Sequence, residues 1–330
     1  MPRRRFLALS TGTLAGVCVG SLAGCVPWPR TGAVSALMDA AGFHAARRHI
    51  RTRFGRIAYV ERGSGPAALF LHGFPLNGFQ WRGALDRLAA YRRCIAPDFL
   101  GMGYTEVADG QSCAPEAQAA MLVALLDTLQ VERADVVAND SGGAVAQLLV
   151  ARHPDRVRSL LLTNGDTEEN CPPPALLPVI DLAKQGRFVD EWLGTWRDNH
   201  ALARSTDGIG GMCYTDPAHP TDEAIETYFA PLLASRRSRD FAHAYAIALE
   251  RNALAGIGPS LARSRVPVRI VWGSADTIFS ADNPGLLDHA FGRSLGVRQL
   301  QGTKLFWPEE RPDVITEEAR RLWAAQGDQT

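Results

Sequence analysis

Short unbroken apolar runs recur along this chain: Ala67 to Leu71, Cys94 to Pro97, Ala134 to Ala138, Val157 to Thr163, Val266 to Trp272 and Val297 to Leu300. Strands exposed on one face alternate apolar with polar residues. Continuous runs are what strands covered on both faces require, so these predict a mostly parallel sheet. Between the runs lie stretches with helical spacing, at residues 81–91, 116–129 and 142–153, and another closes the chain at 309–325. Strands alternating with helices predict an α/β architecture with helices on both faces of the sheet. Two further segments, His49 to Phe54 and Arg56 to Arg62, flank the single Gly55 and read as an antiparallel pair at the sheet edge. From residue 166 to 265 the alternation stops. That stretch is rich in helix formers and prolines and lacks a buried strand, so it reads as a helical cap inserted between two parts of the core, 49–165 and 266–330. Trp192, Trp196, Tyr228, Phe229, Phe241 and Tyr245 supply the apolar faces of the cap.

The N-terminus has a different character. Arg3-Arg4-Arg5-Phe6-Leu7 is followed by a mild apolar stretch and then by Leu22-Ala23-Gly24-Cys25. A basic start, a short apolar run and small residues before a cleavage point make a signal peptide over residues 1–25. The adjacent arginines resemble a twin-arginine export signal, and Leu-Ala-Gly-Cys resembles a bacterial lipobox. The resemblance implies an exported, periplasmic or cell-envelope lipoprotein, with Cys25 as the lipidated residue and the only membrane attachment. Residues 26–48 read as a tether.

Composition adds exclusions. The 330 residues carry 35 basic and 35 acidic side chains, so no net charge favours nucleic acid. Dinucleotide fingerprints, phosphate loops and metal-ligand spacings are absent from the sequence, and no cofactor is implied. Beyond the signal, Cys94, Cys113, Cys171 and Cys213 remain in a compartment that permits disulfides, with their connectivity open. Lys184 and Lys304 are the only lysines.

The chemistry-bearing motif is Ala138-Asn139-Asp140-Ser141-Gly142-Gly143, between a strand and a helix. A nucleophile elbow tolerates only small residues two positions either side of the nucleophile. Centred on Asp140 those positions are Ala138 and Gly142, which fit. Centred on Ser141 one of them is Asn139, which does not, and a serine esterase is correspondingly disfavoured. The elbow, the His72-Gly73-Phe74-Pro75 loop and the Asp98…Gly101-Met102-Gly103 loop resemble α/β-hydrolases of the haloalkane dehalogenase and epoxide hydrolase group. The resemblance covers nearly all of residues 49–325.

It implies an α/β-hydrolase fold in which the Asp140 carboxylate attacks a saturated carbon of a small apolar substrate and forms an alkyl ester. The backbone N–H groups of Phe74 and Ser141 would form the oxyanion or leaving-group pocket. The His72-Gly73-Phe74-Pro75 loop is closest to the epoxide hydrolase form, and the Gly101-Met102-Gly103 loop is closer to the dehalogenase form. The latter, with no tyrosine pair singled out, tips a nearly even balance to a dehalogenase, with an epoxide hydrolase as the alternative. Many members place Trp after the nucleophile, where this chain has Ser141. Trp81, Tyr228 and Tyr245 are candidates for the substrate pocket, and Tyr214 is a further cap tyrosine.

Asp276, in Val271-Trp272-Gly273-Ser274-Ala275-Asp276, occupies the position of the family's catalytic acid, with Asp166 as an alternative. The base is missing. The family's histidine falls shortly before a Glu-Glu-x-Pro segment, here Glu309-Glu310-Arg311-Pro312, and that slot is Leu305. No histidine follows His289. A cap histidine (His200, His219 or His243) or Lys304 would have to substitute. Otherwise the reaction does not need ester hydrolysis, or the protein is a non-catalytic binder.

Overall fold

The computed structural model describes residues 38–325. The expected signal peptide, Cys25 and most of the expected tether lie outside them. The described part of the tether is not featureless: helix α1 (Ala40–Ala46) begins where the Asp39 carboxylate caps Gly42 N at 2.7 Å.

A sheet dominates the fold. Strands β1 (Arg47–Thr52) and β2 (Gly55–Arg62) form the expected antiparallel edge, turning at Gly55, and β2 also pairs antiparallel with β4. Then β3 (Ala67–Leu71), β4 (Arg93–Pro97), β6 (Ala134–Ala138), β7 (Val157–Leu162), β8 (Val268–Gly273) and β9 (Ser294–Leu300) run parallel. The strand order is β1-β2-β4-β3-β6-β7-β8-β9, with the two-residue β5 (Glu106–Val107) joined to β2. All residues of β3 and β6 are buried, which is why their sequences are unbroken apolar runs.

Helices α2 (Arg82–Leu88), α3 (Pro115–Thr128) and α4 (Ser141–Arg152) connect the early strands. Between β7 and β8 the chain forms α5 (Leu177–Lys184), α6 (Thr195–Asp198), α7 (His200–Ala203), α8 (Ile209–Cys213), α9 (Asp222–Leu233), α10 (Arg236–Ala248) and α11 (Gly258–Arg263). No strand interrupts this run, so the inserted segment is helical. After β8 come α12 (Asn283–Ala290), β9, α13 (Trp307–Glu310) and α14 (Pro312–Ala324). The closing helix is therefore two helices. Arg311 between them has φ −125° and ψ 58°, because a residue preceding proline is driven out of the α region.

The cap is tied to the last helices by one acidic pair. Buried Glu309 binds Arg82 at 2.6 Å and accepts the Tyr214 hydroxyl proton at 2.6 Å. Glu310 accepts from the backbone N–H of Thr215 and Asp216.

Candidate active site

Asp140 sits at the turn from β6 into α4 with φ 56° and ψ −131°. A non-glycine residue held at positive φ costs on the order of 1–3 kcal/mol and persists only where its surroundings impose it. Here Asp140 N donates to Asn164 O at 2.7 Å and Gly143 N donates to Asp140 O at 2.8 Å. The small-residue frame has a direct cause. A Cβ on Gly142 would lie 2.6 Å from Leu71 O and 2.7 Å from His72 O. A Cβ on Gly73 would lie 2.7 Å from Asp140 Cβ. Bulk at either position would push the elbow away from β3.

The carboxylate meets two backbone donors. Phe74 N donates to Asp140 Oδ1 at 2.7 Å and Ser141 N donates to the same oxygen at 2.5 Å. These are the two N–H groups anticipated for an oxyanion pocket, and both converge on one oxygen. Burial nevertheless outweighs these donors and lifts the Asp140 carboxyl to about 6.

Asp140 opens into a cavity of about 150 Å³ between the carboxyl ends of the strands and the cap. A cavity of that size holds a molecule such as benzene. The core contributes Phe74, Ser141, Ala144, Phe279 and Leu305. The cap contributes mainly apolar side chains, among them Leu176, Val179, Phe188, Trp192, Trp196 and Met212. The polar lining is sparse. Besides Asp140 and Ser141 it comprises Asp166, Arg251 and the thiols of Cys171 and Cys213, which are free.

Several expected site residues lie elsewhere. Trp81 is fully buried beside Phe70, with ring centroids 5.7 Å apart, and does not reach the cavity. Tyr228 packs edge-on to Phe79 and is likewise outside it. Tyr245 also does not line the cavity; its hydroxyl lies 3.0 Å from Ser141 Oγ, and its ring stacks on Phe74. These corrections share one cause. The large aromatics on the cap and in the turn that precedes α2 are consumed by packing between layers.

Lys304 is turned away as well: its Nζ donates to Gly211 O at 2.5 Å, and it does not line the cavity. Among the described residues no histidine lines the cavity. His200 pairs with Asp222 at 2.9 Å, His219 stacks on Tyr214, and His243 Nε2 accepts from Val189 N at 3.2 Å.

Leu305 does lie in the cavity wall, only 2% exposed, where a base would be needed. Asp276 faces an amide instead of an imidazole. Asn164 Nδ2 donates to Asp276 Oδ2 at 2.8 Å, and Ile278 N donates to Oδ1 at 2.8 Å. Asn164 in turn accepts from Gly273 N and from the Trp307 indole. This asparagine stitches β7, β8 and α13 together, and Asn139 ties the end of β6 to the end of β7 and to the loop before α13 by donating to Thr163 Oγ1 and Leu305 O. Neither role was legible in the sequence, since an asparagine after a strand carries no pattern of its own.

A strained aspartate elbow, two convergent N–H donors and a capped cavity at the strand ends define an α/β-hydrolase. The chain belongs to the α/β-hydrolase fold family, which it matches over residues 66–302. Haloalkane dehalogenase 2 of Mycobacterium tuberculosis is 34% identical over 110 residues, 33% of this chain and 38% of that relative. The chain thus spans well under half the length of that curated relative. A haloalkane dehalogenase structure from Bradyrhizobium elkani is 26% identical with a TM-score of 0.69, covering 84% of this chain and 99% of its own. An epoxide hydrolase, CorEH, superposes with a TM-score of 0.68 at 20% identity over 84% of this chain and 99% of its own, a likeness of fold alone.

Proposed function

We propose that this chain is a hydrolase that attacks a saturated carbon of a small apolar substrate with Asp140, in the manner of a haloalkane dehalogenase. The observation that carries the reading is the placement of Asp140: one carboxylate oxygen is held by Phe74 N and Ser141 N, and the residue lines a mainly apolar cavity. A carboxylate is a weak nucleophile toward amides, but adequate for displacing halide from carbon. Displacement forms the Asp140 alkyl ester and expels halide. When water later adds to the ester carbonyl, the same two N–H groups face the developing oxyanion. The relatives named above support this substrate class. The position of the cap tyrosines, none of which lines the cavity, weighs against ring opening assisted by a tyrosine pair.

Hydrolysis of the ester needs an activated water, and Leu305 in the histidine slot leaves no imidazole there to supply it. Losing a general base typically costs ~10²–10⁴-fold. The N-terminal pattern supports action in the cell envelope, with lipid on Cys25. The test is intact-protein mass after exposure to bromoalkanes and terminal epoxides, with bromide and diol assayed in parallel. An alkyl adduct mapping to Asp140, lost in Asp140→Asn, is expected. Its rate of formation rises as pH climbs through about 6, where Asp140 ionises. Absence of any adduct or product across the panel would sink the reading.

A further inference from the structure

We infer that Asp166 stands in for the missing histidine: its carboxylate, facing the same cavity as Asp140, takes the proton of the water that hydrolyses the Asp140 ester. This rests on Asp140 being the nucleophile. The chain leaving β7 passes directly against the elbow. Asn164 O accepts from Asp140 N at 2.7 Å, and a Cβ on the next residue, Gly165, would lie 3.0 Å from Asp140 O. Asp166 follows immediately. Its backbone carbonyl is fixed by Gln147 Nε2 at 2.8 Å, and its side chain enters the cavity wall. The residue is 6% exposed, and its Oδ1 has no hydrogen-bond partner. A buried carboxyl oxygen left unpaired is costly, and this one belongs to a residue that lines the same cavity as Asp140.

The charges around it agree. Its titratable neighbours are Asp140, Tyr245 and the Cys171 thiol, which hydrogen-bonds the carboxyl. The Arg251 guanidinium also lines the cavity, but it is paired with Glu116. Burial first and the Asp140 charge second push Asp166 up to about 8, so at neutral pH it rests protonated. Alkylation of Asp140 removes that negative charge. Asp166 then releases its proton to solvent more readily, after the ester has formed and when a base is needed.

In the hydrolytic step one water O–H proton passes to Asp166 and the water oxygen bonds to the ester carbonyl carbon. The tetrahedral intermediate collapses, and its alkyl oxygen leaves with the proton from Asp166 as the alcohol. Asp140 emerges as a carboxylic acid and ionises to solvent. The balance is halide, alcohol and one proton from alkyl halide and water.

The experiment follows bromide release and intact mass with bromobutane, from pH 6 to 9.5, for the full chain and for Asp166→Asn, Asp166→Glu and Asp140→Asn. The unaltered protein is expected to turn over, faster as pH rises through the ionisation of Asp166 in the ester, which falls below its resting value of about 8 once the Asp140 charge is gone. Asp166→Asn is expected to release one equivalent of bromide and hold the Asp140 adduct, with steady-state turnover down ~100-fold or more. Asp166→Glu keeps a carboxyl and recovers part of that loss, and a thermal melt of each variant confirms folding. An Asp166→Asn protein that turns over normally with an unchanged pH profile overturns the role of Asp166 while leaving Asp140 as nucleophile. So does an unaltered protein stalled at the adduct at every pH. Neither adduct nor bromide in any variant overturns the nucleophile, and this inference with it.

Discussion

Asp166 is bound to affect stability as well as chemistry, with a sign opposite to that of a salt-bridged carboxylate. Its folded value of about 8 lies above its ordinary 3.8. Between those limits the folded protein holds a proton that the unfolded chain has released, so stability falls as pH rises through the window. Asp140 adds a smaller effect of the same sign between its ordinary 3.8 and about 6. Asp166→Asn removes the larger effect. The urea midpoint of that variant, relative to the unaltered protein, is expected to climb from pH 5 to pH 8 and to end higher by the equivalent of a few kcal/mol. A difference that stays flat with pH would show that Asp166 ionises normally. Leu305 gives the complementary prediction. Replacing this 2%-exposed leucine with histidine costs about 1–3 kcal/mol of stability. It also sets an imidazole with an ordinary pKa near ~6.5 in the cavity wall. Leu305→His should shorten the lifetime of the Asp140 adduct most at the acid end of the pH range, where Asp166 holds its proton even in the ester. An unchanged lifetime would mean that Leu305 is not the vacant base position.

At the scale of elements, the Glu309 anchor explains why the Glu-Glu-x-Pro segment could be recognised without its histidine. Glu309 is 7% exposed and binds both Arg82 and Tyr214, so it joins α13 to α2 and to the cap. The Arg82 guanidinium is correspondingly held above its usual range by that carboxylate, although burial opposes the shift. Removing one partner of such a buried pair costs about 3–5 kcal/mol, because the other charge is stranded. Glu309→Ala should lose that much in urea unfolding, whereas Arg311→Ala, whose pair with Asp313 is half exposed, should change little. The central strands were legible in the sequence because burial on both faces leaves an unbroken apolar signature, as in β3 and β6. Two short, partly exposed elements were not. β5 is two residues long, and α12 has only Asn283, Pro284 and Leu287 buried. The break at Arg311 was readable from Pro312, but the helical pattern on either side masked it.

Across the whole molecule, the cavity collects one residue from the carboxyl end of each of several strands: Phe74 after β3, Asp140 after β6, Asp166 after β7, Phe279 after β8 and Leu305 after β9. This is where open α/β sheets place their ligands, so the core half of the site followed from chain order. The cap half did not. Trp192 and Trp196 line the cavity while Tyr228 and Tyr245 do not, although all four sit on helical apolar faces. Which face turns inward depends on how helices cross, and periodicity along one chain cannot report that. On the proposed reading, substrate length is therefore set by the cap. Met212, on the partly buried side of α8, reaches the cavity without being locked in the core. Met212→Ala should lengthen the cavity there at a stability cost of about 1–2 kcal/mol, below the range for fully buried methionines. Each further methylene of substrate that the space accepts adds ~0.8 kcal/mol of burial. Adduct formation with bromoalkanes of increasing length should then favour chains two carbons longer than in the unaltered protein. The shortest bromides should react with Asp140 at a similar maximal rate but higher half-saturation. An unchanged length preference would place the bound alkyl group on the Trp192 and Trp196 side of the cavity, away from Met212.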